Sequence, residues 1–239
     1  MRILVFQHLD VQNTGAFGEI WQAKDYGLTT IELDAGDAIP DLDGFDLLVV
    51  MGGPMDVWDI AHHPWLIAEK SAIRRWVGEL KRPYLGVCLG HQLLADVLGG
   101  EVTLMERPEV GVVPVSLTPS GLIDQVLVGV PENMEVLTWH SAEVSKLPEN
   151  AVVLAQNDAC SVQAMRWGRH AYSFQYNIEI TADLLRDWSA IPEYKSSLED
   201  ALGVGGAEKL RASVQARLPL FRARTERIES NLLTLVRGA

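Results

Sequence analysis

Apolar residues in the first ninety positions fall into short solid runs separated by amphipathic stretches. Residues 2–6 form one run, 29–33 a β-branched second, 45–51 a third and 83–87 a fourth. Runs this short, bounded by Gly, Pro or Asp, predict strands buried on two faces rather than helices. Between them, residues 15–26, 64–80 and 89–98 carry helical periodicity. Pro64 suits a first helical turn, and Gly99-Gly100 closes the last of these helices. Strand alternating with helix in this way predicts a parallel sheet covered by helices on both faces.

After Gly100 the pattern tightens. Residues 101–105, 111–117, 135–139, 152–156, 161–167 and 171–176 read as strands joined by short turns. That spacing predicts antiparallel ribbons added to the sheet. Residues 181–190 read as a helix. From Pro192 the chain is polar and amphipathic, and Gly203-Val204-Gly205-Gly206 divides it into two short helices, the second running from near Ala207 toward Val236. The expected architecture is a three-layer α/β fold with a doubly wound, mostly parallel sheet of flavodoxin-like winding, an added antiparallel ribbon and a C-terminal helical tail. Residues 1–191 form the domain, and 192–239 form an extension packed on or flanking it.

Composition narrows the partners. With 48% hydrophobic residues in 239, the chain can bury a full core without disulfides, and its two cysteines, Cys88 and Cys160, do not suggest a disulfide framework. A reducing, cytoplasmic compartment is expected. The net charge of -12 works against nucleic acid and anionic membranes, and no apolar run approaches a bilayer span. No phosphate-cradling glycine pattern follows a predicted strand, so no cofactor is expected. Asp56, Asp59, His62 and His63 are irregularly spaced on a loop before Pro64. They read as a solvated helix entrance, and no metal site is expected. Trp58 and Trp65 suit either a cleft rim or the core. His8 and His170 show no constellation.

The chemistry concentrates in Gly86-Val87-Cys88-Leu89-Gly90-His91-Gln92, where a buried strand turns abruptly into a helix. A nucleophile on so sharp a turn needs small neighbours, here Gly86 and Gly90. At a helix N-terminus, the dipole and free N–H groups are expected to favour the thiolate of Cys88. The N–H of Leu89 points at an oxyanion formed on the attacked carbon, and Gly53 of Gly52-Gly53-Pro54 supplies a second donor from a neighbouring strand end. His91, one turn beyond Cys88, is expected to brace the elbow.

The stretch from Gly86 to Gln92 resembles the nucleophile motif of class I glutamine amidotransferases, and Met51-Gly52-Gly53-Pro54 resembles their oxyanion strand. Trp139-His140, followed by Leu147-Pro148, is similar to a segment of the free-standing, GMP synthase-like branch. Phe174-Gln175-Tyr176-Asn177-Ile178-Glu179 takes the place of the closing motif. The resemblance covers residues 1–190. It implies hydrolysis of the glutamine side-chain amide through a γ-glutamyl thioester on Cys88, with ammonia passed to an acceptor. It also implies substrate contacts at Gln92, Gly52 and His140.

One position departs from the family. Where the family carries the histidine that takes and returns the proton, this chain has Asn177, and a carboxamide cannot shuttle protons near neutral pH. Glu179 is present without an imidazole to orient. Losing one member of such a unit costs on the order of 10⁴ to 10⁶ in turnover. The expectation is a reactive Cys88 with very poor glutaminase activity. His140 is the best substitute proton donor, beside its reading as a pocket or structural residue. Two alternatives stay open: a binding module that holds glutamine or a γ-glutamyl compound without consuming it, and a γ-glutamyl hydrolase acting on a donor with a better leaving group. No synthetase segment is visible, so an ammonia acceptor falls to a separate protein or is not needed.

Overall fold

A computed structural model describes residues 1–189, 198 and 201–238. The sheet has nine strands: β1 (Arg2–Gln7), β2 (Gly27–Glu32), β3 (Leu47–Val50), β4 (Tyr84–Val87), β5 (Glu101–Leu117), β6 (Asn133–Lys146), β7 (Ala151–Gln156), β8 (Ala164–Trp167) and β9 (Ala171–Phe174). Their order is β2-β1-β3-β4-β9-β8-β7-β5-β6. Pairings from β2 through β4 to β9 are parallel, and those from β9 outward to β6 are antiparallel. This is the wound sheet with an added ribbon that the hydrophobic pattern predicts.

Alternation explains the layers. Ile3, Val5, Leu47, Val49, Leu85 and Val87 face one side, where Phe17 and Trp21 of α1 (Gly15–Ala23) join Ile228 and Leu232 of the last helix. Leu4, Phe6, Leu48, Val50 and Tyr84 face the other side, against α2 (Trp65–Arg74) and α3 (Leu89–Val97). α2 runs on into one π-helical turn, Arg75–Glu79, so the helix expected over 64–80 is present with a change of winding. α4 (Pro119–Leu122) begins at Thr118, whose side chain accepts from Gly121 N–H.

Two expectations about the ribbon need correction. The segments 101–105 and 111–117 are one strand, β5, kept continuous by an irregularity: β5 advances from Leu104 to Glu109 while β6 moves only from Ala142 to His140. The extra residues bulge out of the ladder, and Pro108 and Val110 on its far side line the cleft described below. β6 continues well past Trp139, so His140 lies within a strand rather than after one. Pairing with the long β5 supplies the backbone partners that extend it.

After α5 (Ala182–Ser189), the first tail helix expected beyond Pro192 lies mostly outside the described residues. The second is long rather than short: α6 (Gly206–Arg237) spans 32 residues and contains Pro219. Gly205 caps it at φ 77°, a left-handed conformation that suits glycine. Thr225 of α6 donates to the carbonyl of Ile178, so this helix is tied to the segment bearing Asn177 and Glu179. No helix among the described residues is long and apolar enough to cross a membrane.

Candidate functional site

β3 and β4 lie side by side and parallel, so Met51-Gly52-Gly53 and Cys88 leave the sheet together at its carboxyl edge. Cys88 caps α3 with φ 52° and ψ -105°, a strained conformation costing about 1–3 kcal/mol. The surroundings hold it there. Its N–H donates to the Phe174 carbonyl at 2.8 Å, and its own carbonyl accepts from His91 and Gln92. The flanking glycines are required by contact: a β-carbon on Gly90 would meet Val50 O at 2.1 Å, and one on Gly86 would meet Gly90 O at 2.5 Å. His91 donates or accepts through Nδ1 with Ser173 Oγ at 2.9 Å, bracing the elbow against β9 as expected. Burial, with His140 nearby, lowers its pKa to about 3, so its ring is neutral.

The structure brings Gly53, Cys88, Gln92, His140 and Asn177 to one cleft of about 200 Å³, whose lining does not include Leu89. Gly52 lies directly behind: a β-carbon there would sit 3.5 Å from that of Cys88 and 2.8 Å from Gln12 Oε1. Glu179 is fully buried outside the lining, and its Oε1 accepts from Asn177 Nδ2 at 3.1 Å. Burial raises Glu179 to about 7. Asn177 Oδ1 and Glu179 Oε2 are both buried without a hydrogen-bond partner among the described residues. With Nδ2 turned to Glu179, Asn177 can offer its other end only as an acceptor.

The expected thiolate is not what this environment favours. Burial, and then the charge of Glu179, push the Cys88 thiol up to about 12, against a smaller opposing contribution from the Leu89 N–H. The helix end does face the sulfur, but desolvation of the charged form outweighs it. Gln175 Nε2 lies 3.8 Å from Sγ.

Polar commitments refine two further expectations. Gln92 Nε2 donates to Ala142 O at 3.0 Å and Gln175 Oε1 at 3.1 Å, which leaves its Oε1 as the atom to meet a ligand. The His140 ring lines the cleft, yet both nitrogens are engaged, Nδ1 with Ala142 O at 3.0 Å and Nε2 with Glu109 Oε2 at 3.0 Å. Glu109 also accepts from Asn157 and Gln163, and although burial opposes it, the His140 hydrogen bond first and these two after it hold its pKa below the ordinary value. Thus His140 is fixed in the wall and has no free nitrogen to offer as a proton donor.

Trp58 and Trp65 do not line the cleft; Trp139 and Trp188 do, edge to face at 6.2 Å. His62 pairs with Asp59 at 2.8 Å on the surface, as a solvated helix entrance should. Sequence reading missed Gln175, Glu109 and the buried pair of His8 and Glu69. Of these only Gln175 carried a local signal, being two positions before Asn177.

A family model described as glutamine amidotransferase class-I matches residues 20–183. The chain belongs to the class I glutamine amidotransferases. It is 29% identical over 213 residues to the glutamine amidotransferase-like protein YfeJ of Salmonella typhimurium, covering 85% of each chain. It is 30% identical over 167 residues to the glutamine-hydrolysing GMP synthase subunit of Archaeoglobus fulgidus, covering 66% of this chain and 84% of that one. Identity reaches 36% over 172 residues with the GMP synthase of Aeropyrum pernix, but the match spans only 29% of that longer protein. The crystal structure of a Thermotoga maritima glutamine amidotransferase superposes with a TM-score of 0.87 at 24% identity, over 99% of this chain and 98% of that one, which establishes the shared fold.

Proposed function

We propose that the cleft binds glutamine or a γ-glutamyl compound with its γ-carbonyl between Cys88 and the N–H groups of Gly53 and Leu89, and that amide hydrolysis there is strongly impaired. The observation carrying this reading is the strained elbow, which aims Cys88 into a cleft shared with Gly53, Gln92 and Asn177. Strain of that kind persists only where surrounding contacts enforce it. Cys88 is the nucleophile, Gln92 Oε1 holds the donor, and Asp56, also in the cleft lining, suits an ammonium group. Asn177 and Glu179 fill the remaining positions without supplying a base.

Amide cleavage needs the thiol proton removed and ammonia protonated as it leaves. A thiol near 12 and a carboxamide neighbour provide neither, whereas an activated γ-glutamyl ester needs no acid to expel its leaving group. Incubation with such an ester is expected to give a γ-glutamyl adduct on Cys88 by intact mass, with little ammonia from glutamine. Fast ammonia release, or no adduct at all, contradicts the proposal.

A second reading, binding without chemistry, is favoured by the protonated thiol. It predicts saturable glutamine binding by calorimetry that survives Cys88→Ala, with no adduct from the ester. An ammonia acceptor on a separate protein would parallel the Archaeoglobus fulgidus relative, which is named as one subunit of a GMP synthase.

A further inference from the structure

Far from the motif in sequence, His8 and Glu69 form a pair with no solvent exposure at all. His8 Nε2 lies 2.8 Å from Glu69 Oε1, and His8 Nδ1 lies 2.9 Å from the carbonyl oxygen of Gly52. A carbonyl only accepts, so Nδ1 carries a hydrogen and donates it. Glu69, a carboxylate on the far side of the ring, accepts from Nε2–H, so the two contacts together favour the ring with both nitrogens protonated, and Trp65 stacks on the ring face at 5.5 Å. Burial opposes charge on the ring, but Glu69 and the Gly52 carbonyl together outweigh it and His8 is raised.

The consequence lies in the next peptide. The Gly52–Gly53 unit is planar and trans, so anchoring the Gly52 oxygen on His8 turns the Gly53 N–H to the opposite side. Gly52 abuts Cys88, and Gly53 lines the cleft with it. Glycine at both positions leaves this peptide free to rotate unless something fixes it. We infer that His8, held by Glu69, is a positioning residue that fixes the Gly52–Gly53 peptide with its N–H aimed at the oxyanion formed on Cys88. The inference rests on the acyl-transfer reading above, because it assigns the N–H to that oxyanion.

The step it affects is acylation: the Cys88 sulfur bonds to the γ-carbon, the ester C–O bond breaks, the phenolate leaves, and the thiol proton passes to solvent. The probe is the γ-(4-nitrophenyl) ester of glutamate, followed by nitrophenolate release under single-turnover conditions. Alkylation of Cys88 by iodoacetamide serves as the control, because it passes through no oxyanion. His8→Leu alone strands a buried carboxylate, so the variant is His8→Leu with Glu69→Leu, which removes both polar partners together. A lost oxyanion donor costs about 10²–10³ in rate, so a loosened one should slow acylation by at least roughly tenfold. Alkylation should stay within about twofold, and His8→Asn combined with Glu69→Leu, which keeps an amide donor for Gly52 O without stranding the carboxylate, should restore most of the acylation rate.

The Gly53 amide cross-peak in a ¹H–¹⁵N spectrum reads the peptide's orientation without any chemistry, and it should shift in the His8→Leu, Glu69→Leu variant and return when His8→Asn is combined with Glu69→Leu. Equal loss in acylation and alkylation, or an unmoved Gly53 cross-peak, overturns the inference. If the parent protein alkylates but is never acylated, the acyl-transfer reading has failed and the assignment to an oxyanion falls with it. The cross-peak still decides whether His8 holds the peptide.

Discussion

On the proposed mechanism, replacing Asn177 with histidine supplies the base that the cleft lacks. The side chain is buried at the cleft wall and already bonded to Glu179 Oε1 at 3.1 Å, so an imidazole there has an orienting carboxylate waiting. With the thiol near 12, about one molecule in 10⁵ carries thiolate at pH 7. A thiolate–imidazolium pair that brings the thiol to about 7 raises the reactive fraction by roughly 10⁵. The less basic thiolate is a weaker nucleophile, and a Brønsted slope of about 0.4–0.5 returns roughly 10² of that gain. Acylation should therefore rise about 10³-fold, before the proton delivered to departing ammonia is counted. Ammonia release from glutamine, coupled to glutamate dehydrogenase, measures the effect in the parent, in Asn177→His and in both with Cys88→Ala. A gain below tenfold, in a variant whose Cys88 alkylates rapidly at pH 7, would refute the reasoning: the nucleophile would be activated and the missing base would not be the obstacle.

Three further outcomes follow from the same geometry. In a Cys160→Ser background, the rate of iodoacetamide alkylation of Cys88 should climb about tenfold per pH unit from 7 to 10 with no plateau, since the thiol titrates near 12; a plateau below pH 9 contradicts this. Glu179 is raised to about 7 from an unfolded value near 4.5, so the folded state holds its proton more tightly. Its contribution is therefore full below about 4.5 and is lost as pH rises through about 7, a loss of about 3 kcal/mol. Glu179→Gln should lack that decline, and thermal melts of both proteins from pH 4 to 8 check it; parallel curves would refute it. Gly90→Ala should lower the melting temperature by roughly 6–12 °C, about 3 kcal/mol at this chain length, because its methyl group meets backbone rather than a movable side chain; an unchanged melt refutes it.

The cysteine elbow was legible in the residues because every constraint on it is local. A short apolar run, glycines on both sides of Cys88 and a helix directly after it leave few conformations, and the fold shows contacts that demand those glycines. Alternating runs likewise implied the parallel core, since burial on both faces excludes polar residues from either register. Other features depend on which strand meets which. The bulge that carries Glu109 to His140 exists only once β5 and β6 pair, and a break in pattern near Met105 looked like a strand end. The thiol moved opposite to the expected direction because desolvation is a property of the whole surrounding shell, whereas the helix end is visible in one segment. His8 and Glu69 stand 61 positions apart, each unremarkable in its own stretch. Only the packing of α2 beside the β1 end, which sets the His8 ring between Glu69 and the Gly52 carbonyl, makes them one device.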